Sequence, residues 1–129
     1  MTTSKQIFSF SQKQNGSKAP VMAWSKDSSY LAIGTCNRYV YIVDKRGKTL
    51  VEKELPLKGT VTGLDWDHEE ELLAIMMEDC PSLLLWAPFT TGMVDELSFD
   101  NQKQALTWMR WSLTHPVLAC GNEKGYLNF

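Results

Sequence analysis

Along this chain, large apolar side chains alternate with small or polar ones in a series of short runs. Three of them end in tryptophan: Val21-Met-Ala-Trp24, Val61-Thr-Gly-Leu-Asp-Trp66 and Leu106-Thr-Trp-Met-Arg-Trp111. A period of two predicts strands with one face buried. Each run is followed by a short polar stretch, Ser25–Ser29, Asp67–Glu71 or Ser112–Pro116. Ser, Asp and Pro satisfy or preset turn geometry, so these predict hairpin turns. Next comes a compact apolar strand with a small residue inside it: Tyr30-Leu-Ala-Ile-Gly34, Leu72-Leu-Ala-Ile-Met76 and Val117-Leu-Ala-Cys-Gly121. A nearly continuous apolar run fits a strand covered on both faces. After a second turn a third strand is predicted over Tyr39–Val43, Ser82–Trp86 and Gly125–Phe129. The more polar segments Thr49–Leu55 and Met93–Ser98 suit outer strands at a solvent rim.

The phrase Trp, then Leu-Ala seven residues later, occurs at Trp24, Trp66 and Trp111, recurring after 42 and then 45 residues. A period of roughly 40–45 residues with four strands each is the spacing of blades in a WD-repeat β-propeller. The predicted fold class is therefore all-β, a WD40-type propeller of about two and three-quarter four-stranded antiparallel blades, incomplete against the roughly four to eight of a closed ring. The blades are placed at 20–55, 60–98 and, in part, 105–129, all within an N-terminal propeller segment spanning 1–129. Gln6–Phe10 alternates without a blade of its own and is a candidate ring-closing strand. On this reading the chain is an N-terminal fragment that on its own exposes apolar strand edges and aggregates. The family dipeptide is split between copies, since Val43-Asp44 keeps the Asp and Trp86-Ala87 keeps the Trp. The Gly-His pair that often precedes the first strand is absent from all three, so the Asp–His network of the strongest WD repeats has no histidine.

Composition narrows the function. Hydrophobic residues at 43% and charged residues at 22% suit a folded chain, with disorder expected only at Met1–Lys5 and Lys13–Lys18. A net charge of -2, with no basic cluster beyond Asp44–Lys48, argues against nucleic-acid binding. The longest apolar runs, Leu72–Met77 and Leu83–Phe89, fall far short of the roughly 20 residues of a membrane span, and the amino terminus has no apolar signal core. A soluble protein of the cytosol or cilium is the expectation. Three cysteines, Cys36, Cys80 and Cys120, lie at or near the second turn of each copy without a Cys-x-x-Cys pair. A shared metal site and buried or half-buried small apolar side chains are the two readings; zinc needs about four converging ligands, which favours the second. No cofactor is implied. His68 and His115 fall in first-hairpin turns and read as solvated. No Ser-His-Asp order, phosphate loop or paired carboxylate in apolar surroundings stands out, and no enzyme activity is expected. Trp24, Trp66 and Trp111 share one repeat position, which predicts packing between blades. Trp108, three residues before Trp111, is predicted on the opposite side of its strand.

Function in a propeller resides in its loops and central opening. Thr35–Arg38, Glu78–Ser82 and Asn122–Lys124 are expected at one face, with the inter-blade segments Pro56–Gly59 and Asp100–Gln104. They carry Arg38, Lys58, Glu78, Asp79, Lys103, Glu123 and Lys124, a mixed-charge set suited to protein recognition.

In order along the chain, Lys5–Ser9, Ala19–Trp24, Tyr30–Ala32, Val40–Asp44 with Gly47, Leu55-Pro56, Leu64–Asp67, Leu84–Trp86, Trp111-Ser112 and Gly121–Tyr126 resemble the N-terminal propeller of the WD repeat-containing protein nineteen family. Those proteins are subunits of intraflagellar transport complex A. The departures are Ala87, where Asp is usual, and Cys80-Pro81 in the second turn. The resemblance implies a non-catalytic scaffold of two propellers and a helical-repeat solenoid. It also implies a role in retrograde ciliary transport and in ciliary entry of membrane proteins, at the ciliary base and axoneme, the cytoplasm and the cytoskeleton. The implied partners are the other subunits of complex A, with cargo adaptors, the second transport complex and ciliary dynein. Membrane contact would be peripheral at most. A propeller subunit of a vesicle coat, or another WD-repeat scaffold, shares the architecture and stands as the alternative.

Overall fold

The computed structural model describes residues 20–99, 104–125 and 127–128. Within them the chain forms strands β1 (Val21–Trp24), β2 (Tyr30–Gly34), β3 (Tyr39–Asp44), β4 (Thr49–Glu54), β5 (Val61–Trp66), β6 (Leu73–Met77), β7 (Leu83–Trp86), β8 (Val94–Leu97), β9 (Trp108–Trp111), β10 (Leu118–Gly121) and β11 (Leu127–Asn128). They make three sheets of order β1-β2-β3-β4, β5-β6-β7-β8 and β9-β10-β11. Every pairing is antiparallel between sequence neighbours. Strand positions agree with the alternation to within two residues. The Gln6–Phe10 candidate and the segments expected to be disordered lie outside the described residues.

Each first hairpin closes in the same way. The backbone N–H of the residue after tryptophan donates to the carbonyl five residues on, Ser25 to Tyr30 at 2.9 Å, Asp67 to Leu72 at 3.0 Å and Ser112 to Val117 at 2.8 Å. The side chain of that residue caps the turn. Ser25 Oγ accepts the Tyr30 N–H, Asp67 Oδ1 those of Glu71 and Leu72, and Ser112 Oγ those of Thr114 and His115. A short acceptor after each tryptophan therefore has a local cause, because it offers the turn backbone a partner. In the first turn Asp27 lies below its ordinary 3.8, at about 2, because the Ser29 hydroxyl and backbone N–H both donate to it. A carboxyl whose folded pKa is depressed stabilises the fold above its unfolded value and loses that stabilisation as pH falls through the folded one. Melts from pH 7 downwards are therefore expected to hold steady to about pH 4 and then drop towards pH 2. Asp27→Asn flattens the part of the drop that belongs to this turn.

The sheets stack so that β6 is buried on both faces. Leu73, Ile75 and Met77 join a core shared with Ala32, Val40 and Ile42 of the first sheet, together with Leu84 and Trp86. Ala74 and Met76 join Leu106, Met109, Trp111 and Cys120 towards the third. Outer strands β4 and β8 are mostly exposed, as their polarity predicts. Cys120 is buried in the second core and burial pushes its thiol up, while Cys36 and Cys80 are half-buried; no two of the three form a disulfide.

Two backbone acceptors fasten each sheet to the one before it. The Trp66 indole N–H donates to the carbonyl of Ala23, and that of Trp111 to the carbonyl of Asp65, both at 3.1 Å. Ala23 and Asp65 each directly precede the tryptophan of the earlier blade. At the other end of the inner strands, the Val61 N–H donates to Thr35 O at 3.0 Å and the Leu106 N–H to Cys80 O at 2.9 Å. The second junction has an extra bond, because Asp65 Oδ2 accepts the Trp111 backbone N–H at 2.7 Å. Trp66 is 0% exposed and Trp111 5%, as packing between blades requires.

Trp24 departs from the expectation and is 55% exposed. Its ring points to the side of β1 away from the second sheet, where no described sheet precedes it. Repeat position sets the direction of the side chain, and the presence of a preceding blade decides its burial. Trp108 is 48% exposed, on the face of β9 opposite the buried Met109 and Trp111, as its odd spacing predicts.

Trp86 is fully buried, yet its indole N–H has no hydrogen-bond partner among the described residues. An unpaired buried donor costs roughly 1–3 kcal/mol. Trp86→Phe removes that donor along with some apolar area, so a chemical melt is expected to move by less than about 1 kcal/mol.

Candidate protein-binding face

The turns joining β2 to β3, β6 to β7 and β10 to β11, and the segments leading from β4 to β5 and from β8 to β9, gather at one end of the sheets. Backbone bonds hold them in place. Thr35 is buried; its Oγ1 accepts the N–H groups of Asn37 and Tyr39 and donates to Tyr39 O, which closes the first turn. The Leu55 N–H donates to Arg38 O at 2.8 Å, and the Glu78 N–H to Thr60 O at 2.8 Å. Asn122 Oδ1 accepts the Lys124 N–H at 2.9 Å, and Gly125 completes that turn at a φ of 90°. The inter-blade bonds to Thr35 O and Cys80 O tie two of these turns to the following sheet. The loops therefore form a platform braced from blade to blade, with side chains projecting from it.

Six of the seven charged residues singled out from sequence lie in the described part, and Lys103 lies outside it. Glu78, Asp79 and Glu123 are exposed and line one cleft of about 600 Å³ between the second and third sheets. Its walls include Met76, Leu106 and Gln104. Lys58 and Lys124 are exposed, and neither lines the cleft. Arg38, at a φ of 59°, is turned back onto its own sheet, where its guanidinium pairs with the carboxylate of Glu54. The Tyr39 hydroxyl donates to the same carboxylate at 2.9 Å. Glu54 is held below its ordinary range by the Tyr39 hydroxyl and then by Arg38, and the same contact pushes Tyr39 up.

Sequence reasoning did not anticipate either arrangement. Glu54 is the cross-strand partner of Tyr39, so only the β3–β4 register brings it beside Arg38. The convergence of Glu78, Asp79 and Glu123 depends on two turns of adjacent blades meeting, and Gln104 and Leu106 join through the lead-in to β9. The one available signal was the shared position of the Glu78 and Glu123 turns within the repeat.

The cleft brings carboxylates beside apolar walls, with no His, Cys, Lys or Arg among its lining residues. His68 sits at the opposite end, 3.6 Å from Glu69, and His115 lies there too, against Thr114. Among the described residues no group of three or more His, Cys, Asp and Glu side chains is placed to hold a metal ion, and no helix is long and apolar enough to cross a membrane.

Residues 20–129 match the family model described as WDR19 first beta-propeller, which covers all three sheets. The chain belongs to that family. WD repeat-containing protein 19 of Homo sapiens is 33% identical over 125 residues, covering 95% of this chain and 9% of the relative. The Mus musculus protein of the same name gives the same figures. WD repeat-containing protein dyf-2 of Caenorhabditis elegans is 25% identical over 115 residues, or 88% of this chain and 8% of that protein. The chain thus spans less than a tenth of the length of these relatives. A chain in the solved structure "Crystal Structure of Mitotic Checkpoint Complex" superposes with a TM-score of 0.70 over 82% of this chain and 31% of that one, at 18% identity. That likeness concerns the fold alone. The sheets of this WDR19-type chain are consecutive blades of a WD-repeat propeller, a scaffold architecture that is in general non-catalytic.

Proposed function

We propose that this chain is part of the first propeller of a non-catalytic scaffold subunit of intraflagellar transport complex A. In that role it supports retrograde transport in the cilium and the entry of membrane proteins, at the ciliary base and along the axoneme. The observation that carries the reading is the match to the WDR19 first propeller over residues 20–129, joined by the 33% identity to WD repeat-containing protein 19. The blade positions 20–55, 60–98 and 105–129 follow from the same reading.

Binding is the mechanism. A ring braced by inter-blade hydrogen bonds presents loops whose backbones are already ordered, so little conformational entropy is lost when a partner docks. Glu78, Asp79 and Glu123 around the cleft, with Lys58 and Lys124 exposed on other loops of the same end, offer charges that steer and select a partner. Arg38 contributes by holding its turn through Glu54. The partners on this reading are the other complex A subunits, and beyond them cargo adaptors, the second transport complex and dynein.

The test is affinity purification of the longer natural protein, tagged in place in ciliated cells, with co-purifying proteins identified by mass spectrometry. Complex A subunits recovered in near-equal amounts support the reading. Recovery of a vesicle coat, or of no stable partners, contradicts it and leaves the propeller fold standing.

A further inference from the structure

The chain's most concentrated positive charge, Lys45-Arg46-Gly47-Lys48, lies at the far end of the first sheet from the Thr35–Arg38 turn, where Asp44 leads β3 into the hairpin to β4. Its backbone is fixed. The Asp44 N–H donates to Lys48 O and the Gly47 N–H to Asp44 O, both at 3.0 Å, with Gly47 at a φ of 83°. Asp44 Oδ1 accepts the N–H groups of Lys48 at 3.0 Å and Arg46 at 2.8 Å, and these bonds hold its carboxyl below its ordinary range. The one carboxylate of the turn is thus committed to ordering the backbone.

Lys45, Arg46 and Lys48 are all exposed, and none of them makes an ion pair among the described residues, whereas Lys26 and Arg38 of the same blade each have a carboxylate partner. Residues 1–19 contain three lysines and no Asp or Glu, so that segment cannot neutralise the tip. The hairpin joins two strands of one complete four-stranded sheet and takes part in none of the inter-blade bonds.

We propose that this hairpin docks an acidic segment of a partner protein, one whose carboxylates are spread over neighbouring side chains. A single phosphate is held best where successive backbone N–H groups converge on it. Here the N–H groups of Arg46, Gly47 and Lys48 are already taken within the turn. What a ligand meets is three separate side-chain charges, and a run of carboxylates matches them. A flat anionic surface fits less well, because the first-hairpin turns at the same end expose Asp27, Glu69 and Glu71, and like charges brought together oppose docking. A segment reaches the tip alone. The inference is independent of membership in a transport complex and of the cleft at the other end.

The longer natural protein, purified, is titrated into a dye-labelled polyglutamate peptide and followed by fluorescence anisotropy. Binding is expected at about 0.05 M salt and is lost by about 0.5 M, where exposed charges are screened. The triple substitution Lys45→Gln, Arg46→Gln and Lys48→Gln weakens it by about tenfold, the scale of three exposed ion pairs. Its circular dichroism matches the parent, since all three side chains are exposed. The charge-keeping set Lys45→Arg, Arg46→Lys and Lys48→Arg binds within about twofold of the parent. A parent protein that does not bind the peptide overturns the proposal, as does binding that the Gln variant retains. Phosphatidylserine vesicles that bind the parent and not the Gln variant, with peptide binding the same for both, overturn it in favour of a membrane surface.

Discussion

Trp66→Ala is expected to cost about 3–5 kcal/mol. The ring is fully buried in the core between the first and second sheets. Phe89 stacks on it at 6.4 Å with planes 8° apart, and Tyr30 lies 6.3 Å away. Truncation opens a cavity among these groups and leaves the Ala23 carbonyl without its donor. A domain has only about 5–15 kcal/mol to lose, so the variant sits near its unfolding threshold at 25 °C. Urea denaturation of parent and variant measures this. Trp66→Phe separates the two contributions: it keeps most of the apolar volume and loses only the hydrogen bond, for about 1–2 kcal/mol. If Trp66→Ala shifts the midpoint no further than a surface substitution does, the first junction is not built on this ring.

Gly34→Val is expected to be nearly as damaging for the opposite reason. A Cβ at Gly34 would lie 2.5 Å from Val61 Cγ1 and 2.8 Å from Val61 Cβ, closer than packed carbons approach. Val61 is buried at the head of β5, and its N–H is the bond that ties the second sheet to Thr35. A branched side chain at 34 pushes β5 away and strains that bond, with overpacking costs of about 1–3 kcal/mol or more. The two shortest approaches are to one side chain, with Val21 Cγ2 next at 3.1 Å, so Gly34→Val with Val61→Ala should recover part of the loss. In a double-mutant cycle the pair then shows coupling, whereas independent effects would simply add. Additive losses would place the damage elsewhere in β2.

These two positions show what was legible beforehand. Strand alternation is a local property, so the sheets follow from the runs ending at Trp24, Trp66 and Trp111, and the small residue in the second strand announces a close approach. Which atom meets which is not local. Nothing in the sequence says that Val61 is what Gly34 accommodates, or that blade two reverses the arrangement, with Met76 filling the space over Gly63. Trp24 shows the limit most plainly. It is identical in motif to Trp66 and Trp111, yet exposed, because burial at a junction belongs to two blades and a motif to one. On the loop face the sequence named the charged residues. Their grouping depended on contacts across blades for Glu78, Asp79 and Glu123, and on strand register for Arg38.

The account stands on the claim that each inner-strand tryptophan fastens its blade to the carbonyl of the blade before it. Hydrogen exchange of the indole N–H resonances, followed by NMR and assigned by single Trp→Phe substitutions, tests that claim most directly. Trp66 and Trp111 are predicted to exchange slowly at every protein concentration. Trp24, which is 55% exposed, is predicted to exchange fast. If Trp66 or Trp111 exchanges as fast as an exposed indole under folding conditions, the junctions are not made in this way and the blade-by-blade account fails.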